Sequence, residues 1–228
     1  VATAGGTAKS LVTGQMSPTQ LAVNGTALYW LAGKSIMTST LAGATPTAVM
    51  PAATTDIGGF TFSEDGKSLY FSAGTVVSKT TAAAGGTPVE VGHEESGIPH
   101  ALAVSGNLIA FPADLNGDVD IMTVADNAKS ICASPDSTVE TNTSCLRVAR
   151  SQGNLYLDSV YIVEGKAYWL NGTQVVSSPA MGTPSNDTIA TAANPNALNG
   201  TTMAIVDKMV YFTDDAGSIY QAPLTINA

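Results

Sequence analysis

Apolar and polar residues alternate along this chain in short segments, which is the period of a β-strand rather than of a helix. Leu21-Ala22-Val23 runs into the turn residues Asn24-Gly25, and Leu28-Tyr29-Trp30 follows as a second strand. Glycine, proline and asparagine stand between the apolar segments, where tight turns need them. The pattern therefore predicts an all-β chain built from antiparallel hairpins.

The same strand–turn–strand unit occurs five times along the chain. One residue of each second strand marks the copies, and these markers are Tyr29, Tyr70, Ile109, Tyr168 and Tyr211. Successive markers lie about 40 residues apart, which is the length of a four-stranded propeller blade. The interval from Ile109 to Tyr168 is longer and contains an insertion. A β-sandwich, the main alternative, gives no reason for a constant interval.

The two ends of the chain together supply one more interval of the same size. The last unit lacks an outer strand, whereas the chain begins with the turn Gly5-Gly6-Thr7 and the strand Lys9-Ser10-Leu11-Val12. We therefore predict a single-domain five-bladed β-propeller, closed by the N-terminal strand joining the C-terminal blade, which would remove an open sheet edge. A larger ring cut short remains the alternative. The predicted blades cover approximately residues 17–52, 53–95, 96–150, 151–195, and 196–228 together with 1–16.

The aromatic pairs point to a known group of repeats. Leu28-Tyr29-Trp30 and Tyr168-Trp169, each after a Val-x-Gly turn, resemble the bacterial secreted propellers with YWTD-like repeats. The resemblance implies a propeller that acts as a binding platform, although a shared fold does not specify a function. The third copy departs from the pattern, with Ile109-Ala110 in place of an aromatic pair.

The composition of the chain limits which partners it could bind and where in or outside the cell it would act. Only 12% of the residues are charged, the net charge is −9, and the nine Lys and Arg residues form no cluster, which argues against a nucleic-acid partner. No apolar run approaches the ~18 residues of a membrane-spanning helix. Because residue 1 is Val, we expect a processed mature form or an excised domain. The abundance of Ala, Thr, Ser and Gly favours a secreted, periplasmic or cell-surface protein.

The two cysteines, Cys132 and Cys145, lie at the ends of a polar excursion inside the long interval. A disulfide between them would stabilise this loop by about 3 kcal/mol in the chain-entropy model. It would also imply an oxidising compartment. The alternative is a pair of free buried thiols.

An Asp-rich segment within the third unit is a candidate metal site. Its oxygen-bearing side chains are Asp114, Asn116, Asp118 and Asp120. Carboxylate and amide oxygens suit Ca²⁺, and Gly117 would allow a sharp turn, but the spacing is not that of an EF-hand. The alternative is an ordinary hairpin turn, in which Asn-Gly is common.

The residues that lead into the first strand of each unit should surround the mouth of a central funnel, where ligands commonly bind. They are Thr19, Gln20, Asp56, Gly58, His100, Asp158, Ser159 and Thr202. Of these, Gln20, His100, Asp158, Ser159 and Thr202 are the predicted ligand-binding residues. The alternative reading is that they only cap strands and turns.

The absence of a recognisable catalytic motif favours a non-enzymatic binding or scaffold module at the cell surface. It would recognise protein or glycan at the funnel, or associate with itself. The alternative is a glycoside hydrolase that uses Asp56 and Asp158 as paired carboxylates. A further reading is that the chain is one domain of a longer adhesin.

Overall fold

The fold was examined in a computed structural model. It describes the chain except for residues 1–9, 95–98, 113–118, 124–129, 133–144, 150–158, 182, 184, 195–199 and 225–228. All regular structure in the described residues is β-strand, as the alternating pattern predicts. No helix with the length and hydropathy needed to cross a membrane occurs in this part of the chain.

The strands form five sheets. The first sheet contains β1 (Pro18–Asn24), β2 (Ala27–Ala32), β3 (Ser35–Thr40) and β4 (Thr47–Ala48). The second contains β5 (Ile57–Phe62), β6 (Ser68–Ala73), β7 (Val76–Thr81) and β8 (Val89–Glu94). The third contains β9 (Ala103–Ser105), β10 (Leu108–Pro112), β11 (Val119–Thr123) and β13 (Cys145–Ala149), and β12 (Ser130–Cys132) lies between β11 and β13 in the chain. The fourth contains β14 (Val160–Val163), β15 (Lys166–Asn171), β16 (Gln174–Pro179) and β17 (Asp187–Thr191). The fifth contains β18 (Gly200–Val206), β19 (Met209–Asp214) and β20 (Ile219–Pro223).

These sheets confirm an all-β propeller architecture but not the predicted number of complete blades. Over the described residues, four sheets contain a four-stranded antiparallel meander, whereas the fifth has three strands. The prediction of five complete blades is therefore wrong. Ser10, Leu11 and Val12, which we expected to close the ring, belong to no strand, and Lys9 lies outside the described residues. Apolar alternation predicts a strand but cannot show whether a distant edge is available to pair with it.

The insertion in the third unit reaches the neighbouring blade. β12 pairs in parallel with β8, and Ile131 lies opposite His93. The outer edge of the second sheet is thus covered by a strand from the long interval, while β13 completes the third sheet by pairing with β11. Covering an edge strand in this way removes a surface that could pair with other chains.

The register of the third sheet corrects the sequence-based marker. Ser105 pairs with Leu108 across the turn, and Ala103 pairs with Ala110. In the fourth sheet the corresponding pair is Tyr161 with Tyr168. Ala110, rather than Ile109, therefore occupies the marker position, and Phe111 keeps the second aromatic position of the repeat.

The core lies between neighbouring sheets. Three apolar clusters fill these spaces: one joins the first and second sheets, one joins the second and third, and the largest joins the third, fourth and fifth. The residues of the aromatic pairs supply much of this packing; Tyr168 and Trp169 are almost completely buried. The repeated apolar residues therefore hold the blades against one another.

A buried carboxylate organises the turn between β19 and β20. Asp214 accepts hydrogen bonds from the backbone N–H groups of Ala216 and Ser218, at 3.1 and 2.8 Å, and from the Tyr220 hydroxyl at 2.7 Å. The Ser218 N–H has the largest part in holding the pKa of Asp214 below its usual value. These bonds favour the charged carboxylate, which accepts several hydrogen bonds at once.

The lowered pKa of Asp214 leads to a pH-dependent prediction. Because the folded pKa lies below the unfolded value of about 3.9, the carboxylate stabilises the fold above that pH. This contribution is lost as the pH falls through the folded pKa. We expect Asp214→Asn to lower the melting temperature at neutral pH, and the difference from wild type to shrink under acidic conditions. Thermal unfolding measured across pH tests this.

Asp65 provides a matched control, because it accepts similar hydrogen bonds from the Ser63 hydroxyl and the Lys67 N–H in another turn. Its side chain is largely exposed, so solvent screening should make the effect of Asp65→Asn smaller. If Asp65→Asn lowered the melting temperature as much as Asp214→Asn or more, burial of the Asp214 turn would not be the reason for its stabilising effect.

Candidate functional site

A central cavity of about 520 Å³ lies between the first strands of four sheets. Its lining includes five of the side chains or backbone segments that the sequence placed at the funnel mouth, and these are Thr19, Gln20, Gly58, His100 and Ser159. The repeat brings them together because each blade contributes the same end of its first strand. Their role in binding a ligand stays a prediction.

Gln20 connects the first two sheets rather than projecting freely into the cavity. A bulge in β1 gives Gln20 a left-handed backbone conformation with φ of 45°. Its side-chain NH₂ donates to the Phe60 carbonyl at 2.8 Å, and its side-chain oxygen accepts from the Phe60 N–H at 3.1 Å. Both ends of the amide are thus engaged, so Gln20 positions two blades and has little capacity left for a ligand.

Ser159 has a similar connecting role between the fourth and fifth sheets. Its hydroxyl oxygen accepts a 3.3 Å hydrogen bond from the Met203 N–H and lies 3.3 Å from the Thr202 hydroxyl. Thr202, another predicted ligand-binding residue, does not line the cavity. These hydroxyls link neighbouring blades at the rim of the cavity.

His100 and Thr19 are two exposed polar residues of the lining. Both are exposed, and neither side chain makes a hydrogen bond with another described residue that would occupy it. The His100 backbone is closely packed against the second sheet, since a Cβ added at Gly59 would lie 2.3 Å from the His100 carbonyl oxygen. Glycine at position 59 therefore allows His100 to sit at the rim.

The sequence did not identify the aromatic and hydroxyl groups supplied by the first strands. Tyr161, Thr61 and Phe60 also line the cavity. Tyr161 donates to the Met203 carbonyl at 3.0 Å, and burial raises the pKa of its hydroxyl, so this group stays a protonated donor. Its position opposite the marker Tyr168 was visible in the repeat, but its orientation toward the cavity was not.

The lining is electrostatically neutral over the described residues. It contains no Asp, Glu, Lys or Arg, and His100 and Tyr161 are its titratable side chains. The described residues do not bring the two carboxylates of the predicted hydrolase together in this cavity. Asp56 is exposed and does not belong to the lining, and Asp158 lies outside the described residues.

The predicted metal and disulfide residues fall mostly where side chains are not described. Asp114, Asn116 and Asp118 lie outside the described residues, and Asp120 lies within β11. Among the described residues, no group of three His, Cys, Asp or Glu side chains is placed to hold a metal ion. Cys132 belongs to β12 and Cys145 to β13, but their side chains are not described. The calcium site and the disulfide stay predictions.

Comparison with known proteins supports the architecture alone. No family model and no curated protein matches the chain. Among solved structures, streptogramin B lyase is 14% identical with a TM-score of 0.62, and the match covers 92% of this chain and 70% of that one. A chain of the nidogen/laminin complex is 15% identical with a TM-score of 0.60, covering 83% of this chain and 70% of that one.

The WD40 β-propeller domain of Doa1 is 13% identical with a TM-score of 0.60, covering 91% of this chain and 64% of that one. At such low identities the shared feature is the path of the chain through its blades, not the residues of a site. The protein is therefore similar to β-propellers in fold, and its function has to be argued from its own cavity and surfaces.

Proposed function

We propose that this protein is a non-enzymatic binding module that recognises an uncharged segment of another protein at its central cavity. The observation that carries this proposal is the cavity itself: it is concave, it lies between the first strands of four blades, and its described lining is uncharged. Pockets with an apolar base and a few convergent polar groups are the usual sites of recognition.

The accessible groups of the lining define the chemistry of recognition. His100 and Thr19 can donate and accept hydrogen bonds at the rim, while Leu31 and Phe60 provide a buried apolar base. Gln20, Ser159 and Tyr161 are already bonded to the backbone of neighbouring blades. A peptide backbone with small or apolar side chains would match this combination, whereas a strongly charged segment would have no counter-charge.

Two considerations favour a protein ligand over a glycan. Phe60 is only 3% exposed, so it offers little ring surface on which a sugar could stack. The nidogen chain, which is similar in fold, was solved in a complex with laminin, a protein. Recognition of a glycan at the same cavity is an alternative outcome of the test below.

Recognition is favoured over hydrolysis because a glycoside hydrolase of the usual kind needs two carboxylates that flank the scissile bond. The described lining has no carboxylate, and Asp56, although exposed, does not belong to it. We propose that the module acts outside the cell or at its surface. The low content of charged residues and the abundance of small hydroxylated and apolar residues support this location.

Selection from a random peptide display library, with a glycan array in parallel, tests the proposal. We expect neutral peptides to bind, and His100→Ala and Thr19→Val each to weaken their binding about tenfold, the equivalent of one hydrogen bond. Thr19→Val keeps the shape of the side chain and removes its hydroxyl.

Met181→Ala is the control, since Met181 is also exposed but does not line the cavity. Binding that responds to Met181→Ala, or that ignores both cavity substitutions, would place the ligand elsewhere. Binding of glycans without binding of peptides would replace the protein partner by a carbohydrate.

A further inference from the structure

The repeat gives every sheet two faces with different neighbours. The marker residue faces the following sheet: the Tyr29 ring lies 4.8 Å from the Phe62 ring, and the Tyr29 hydroxyl donates to the Ala82 carbonyl at 2.8 Å. The next residue along the strand faces the preceding sheet, as Phe71 does when it packs in the cluster that contains Tyr29. A junction between sheets thus joins two unlike surfaces.

One first-strand position shows this most clearly. Its residues face the preceding sheet, and in four sheets they are Phe60, Leu102, Val160 and Met203. All four are buried, with at most 8% of their surface exposed. In the first sheet the residue at this place, directly before Ala22, is Leu21; it lies in the β1 bulge and is 70% exposed, and Val23, opposite Leu28, is 58% exposed. We call Leu21 and Val23 the leading face.

At the marker position, the residue of the fifth sheet is exposed whereas those of the other four sheets are buried. Tyr29, Tyr70, Ala110 and Tyr168 are buried against the following sheet. The equivalent residue of the fifth sheet, Tyr211, is 40% exposed, and Val206 on the same face is 54% exposed. We call Val206 and Tyr211 the trailing face.

The leading and trailing faces are not covered by each other. No apolar cluster contains residues of both the first and the fifth sheet among the described residues. Trp30, on the same side as Leu21, is only 4% exposed, and its ring N–H donates to the Gln15 side chain at 3.1 Å, so the leading face is exposed at Leu21 and Val23 and not at Trp30. The apolar side chains of both faces consequently remain in contact with solvent.

We infer that the leading face of one molecule binds the trailing face of a second copy of this chain. The evidence for the occupant is the chain itself, which makes a contact of this kind at each of its internal junctions. A trailing face presents a tyrosine or a small residue, and a leading face presents an apolar first strand that receives it. A second copy of the chain has both a leading face and a trailing face, so it can supply the apolar partner that each face lacks.

The contact is head-to-tail because the two faces are different surfaces. Such a heterologous interface leaves one face free at each end of a dimer, so it continues into a filament or closes into a ring of copies. The three apolar clusters join the sheets in sequence, and none of them joins the fifth sheet to the first among the described residues. This association is independent of ligand binding at the central cavity.

Sedimentation velocity of the full chain at increasing protein concentration tests the inference. We expect wild type to form concentration-dependent oligomers. Leu21→Glu and Val206→Glu should each weaken association at least tenfold, because each would bury an unpaired charge in the contact. A mixture of the two variants should form a complex of two chains and no larger species, since it retains one intact pair of faces.

Val89→Glu is the matched control, because Val89 is 63% exposed in β8 and receives the same change of charge. It should assemble like wild type. Circular dichroism and melting temperature should be unchanged in all three variants, which would separate loss of contact from loss of fold.

Wild type that stays monomeric at every concentration would overturn the inference and would indicate that the faces pair within one molecule or remain free. A mixture of Leu21→Glu and Val206→Glu that stays monomeric would also overturn it. Assembly of wild type together with a failure to select any peptide would overturn the proposed function and leave this inference standing, so the two proposals fail separately.

Discussion

Replacing Trp169 by alanine is expected to lower the free energy of unfolding by about 3–5 kcal/mol, the usual loss when a buried tryptophan is truncated. Trp169 has no exposed surface and lies in the cluster that joins the third, fourth and fifth sheets. Its removal would leave a cavity where several blades meet. Chemical denaturation, with the midpoint and slope fitted for wild type and variant, measures this loss.

Trp169→Phe is the informative companion variant. Phe71, Phe111 and Phe212 occupy the equivalent position in other sheets, so the fold accepts a phenyl ring there. The Trp169 ring N–H is buried without a hydrogen-bond partner among the described residues, and an unsatisfied buried donor costs about 1–3 kcal/mol. Replacing it by phenylalanine should therefore recover much of the stability lost in Trp169→Ala.

Trp30 supplies the matched comparison, because its ring N–H does donate to Gln15. Trp30→Phe removes a satisfied donor and should cost about 1 kcal/mol from the hydrogen bond alone. If Trp169→Phe destabilised the protein as much as Trp169→Ala, a phenyl ring would not fill the site. The unpaired N–H of Trp169 would then not have the energetic cost that we assign to it.

Gly59→Ala is expected to be the second most disruptive single change and to act on the cavity directly. The added Cβ would lie 2.3 Å from the carbonyl oxygen and 3.1 Å from the carbonyl carbon of His100. These are backbone atoms, so the second and third sheets would have to separate. Overpacking of this kind costs about 1–3 kcal/mol, and it would displace His100 from the rim.

Both a lower melting temperature and weaker binding of selected peptides are therefore expected for Gly59→Ala. Gly86→Ala is the control, since a Cβ there would meet the Thr80 and Thr81 hydroxyls, side-chain groups away from the cavity. It should alter stability but leave peptide affinity unchanged. If Gly59→Ala bound the peptides with wild-type affinity, peptide binding would not depend on the position of His100.

The local structure of each hairpin was predictable from neighbouring residues. Gly25 and Gly165 adopt φ of 59° and 75° in their turns, a region that glycine enters without steric cost. The aromatic pairs that follow these turns form second strands, as expected. Turn chemistry and strand alternation act over a few residues, so the sequence expresses both directly.

Register was less predictable, as the third unit shows. The aromatic spacing suggested Ile109 as the marker, whereas pairing of Ser105 with Leu108 places Ala110 there. A shift of one residue exchanges the two faces of a strand. With alanine in the tyrosine position, Phe111 was the aromatic signal that remained for the correct register.

The sequence by itself determined the all-β class, the hairpin repeat and the residues that lead into each first strand. Only the tertiary structure decided that four blades are complete, that Gln20 bonds across to Phe60, and that Leu21 and Tyr211 remain exposed. The physical reason is the range of the interactions. Turns and alternation depend on adjacent residues, whereas the contacts between blades join residues about 40 positions apart. Identical local patterns therefore become core or surface according to which sheet lies beside them.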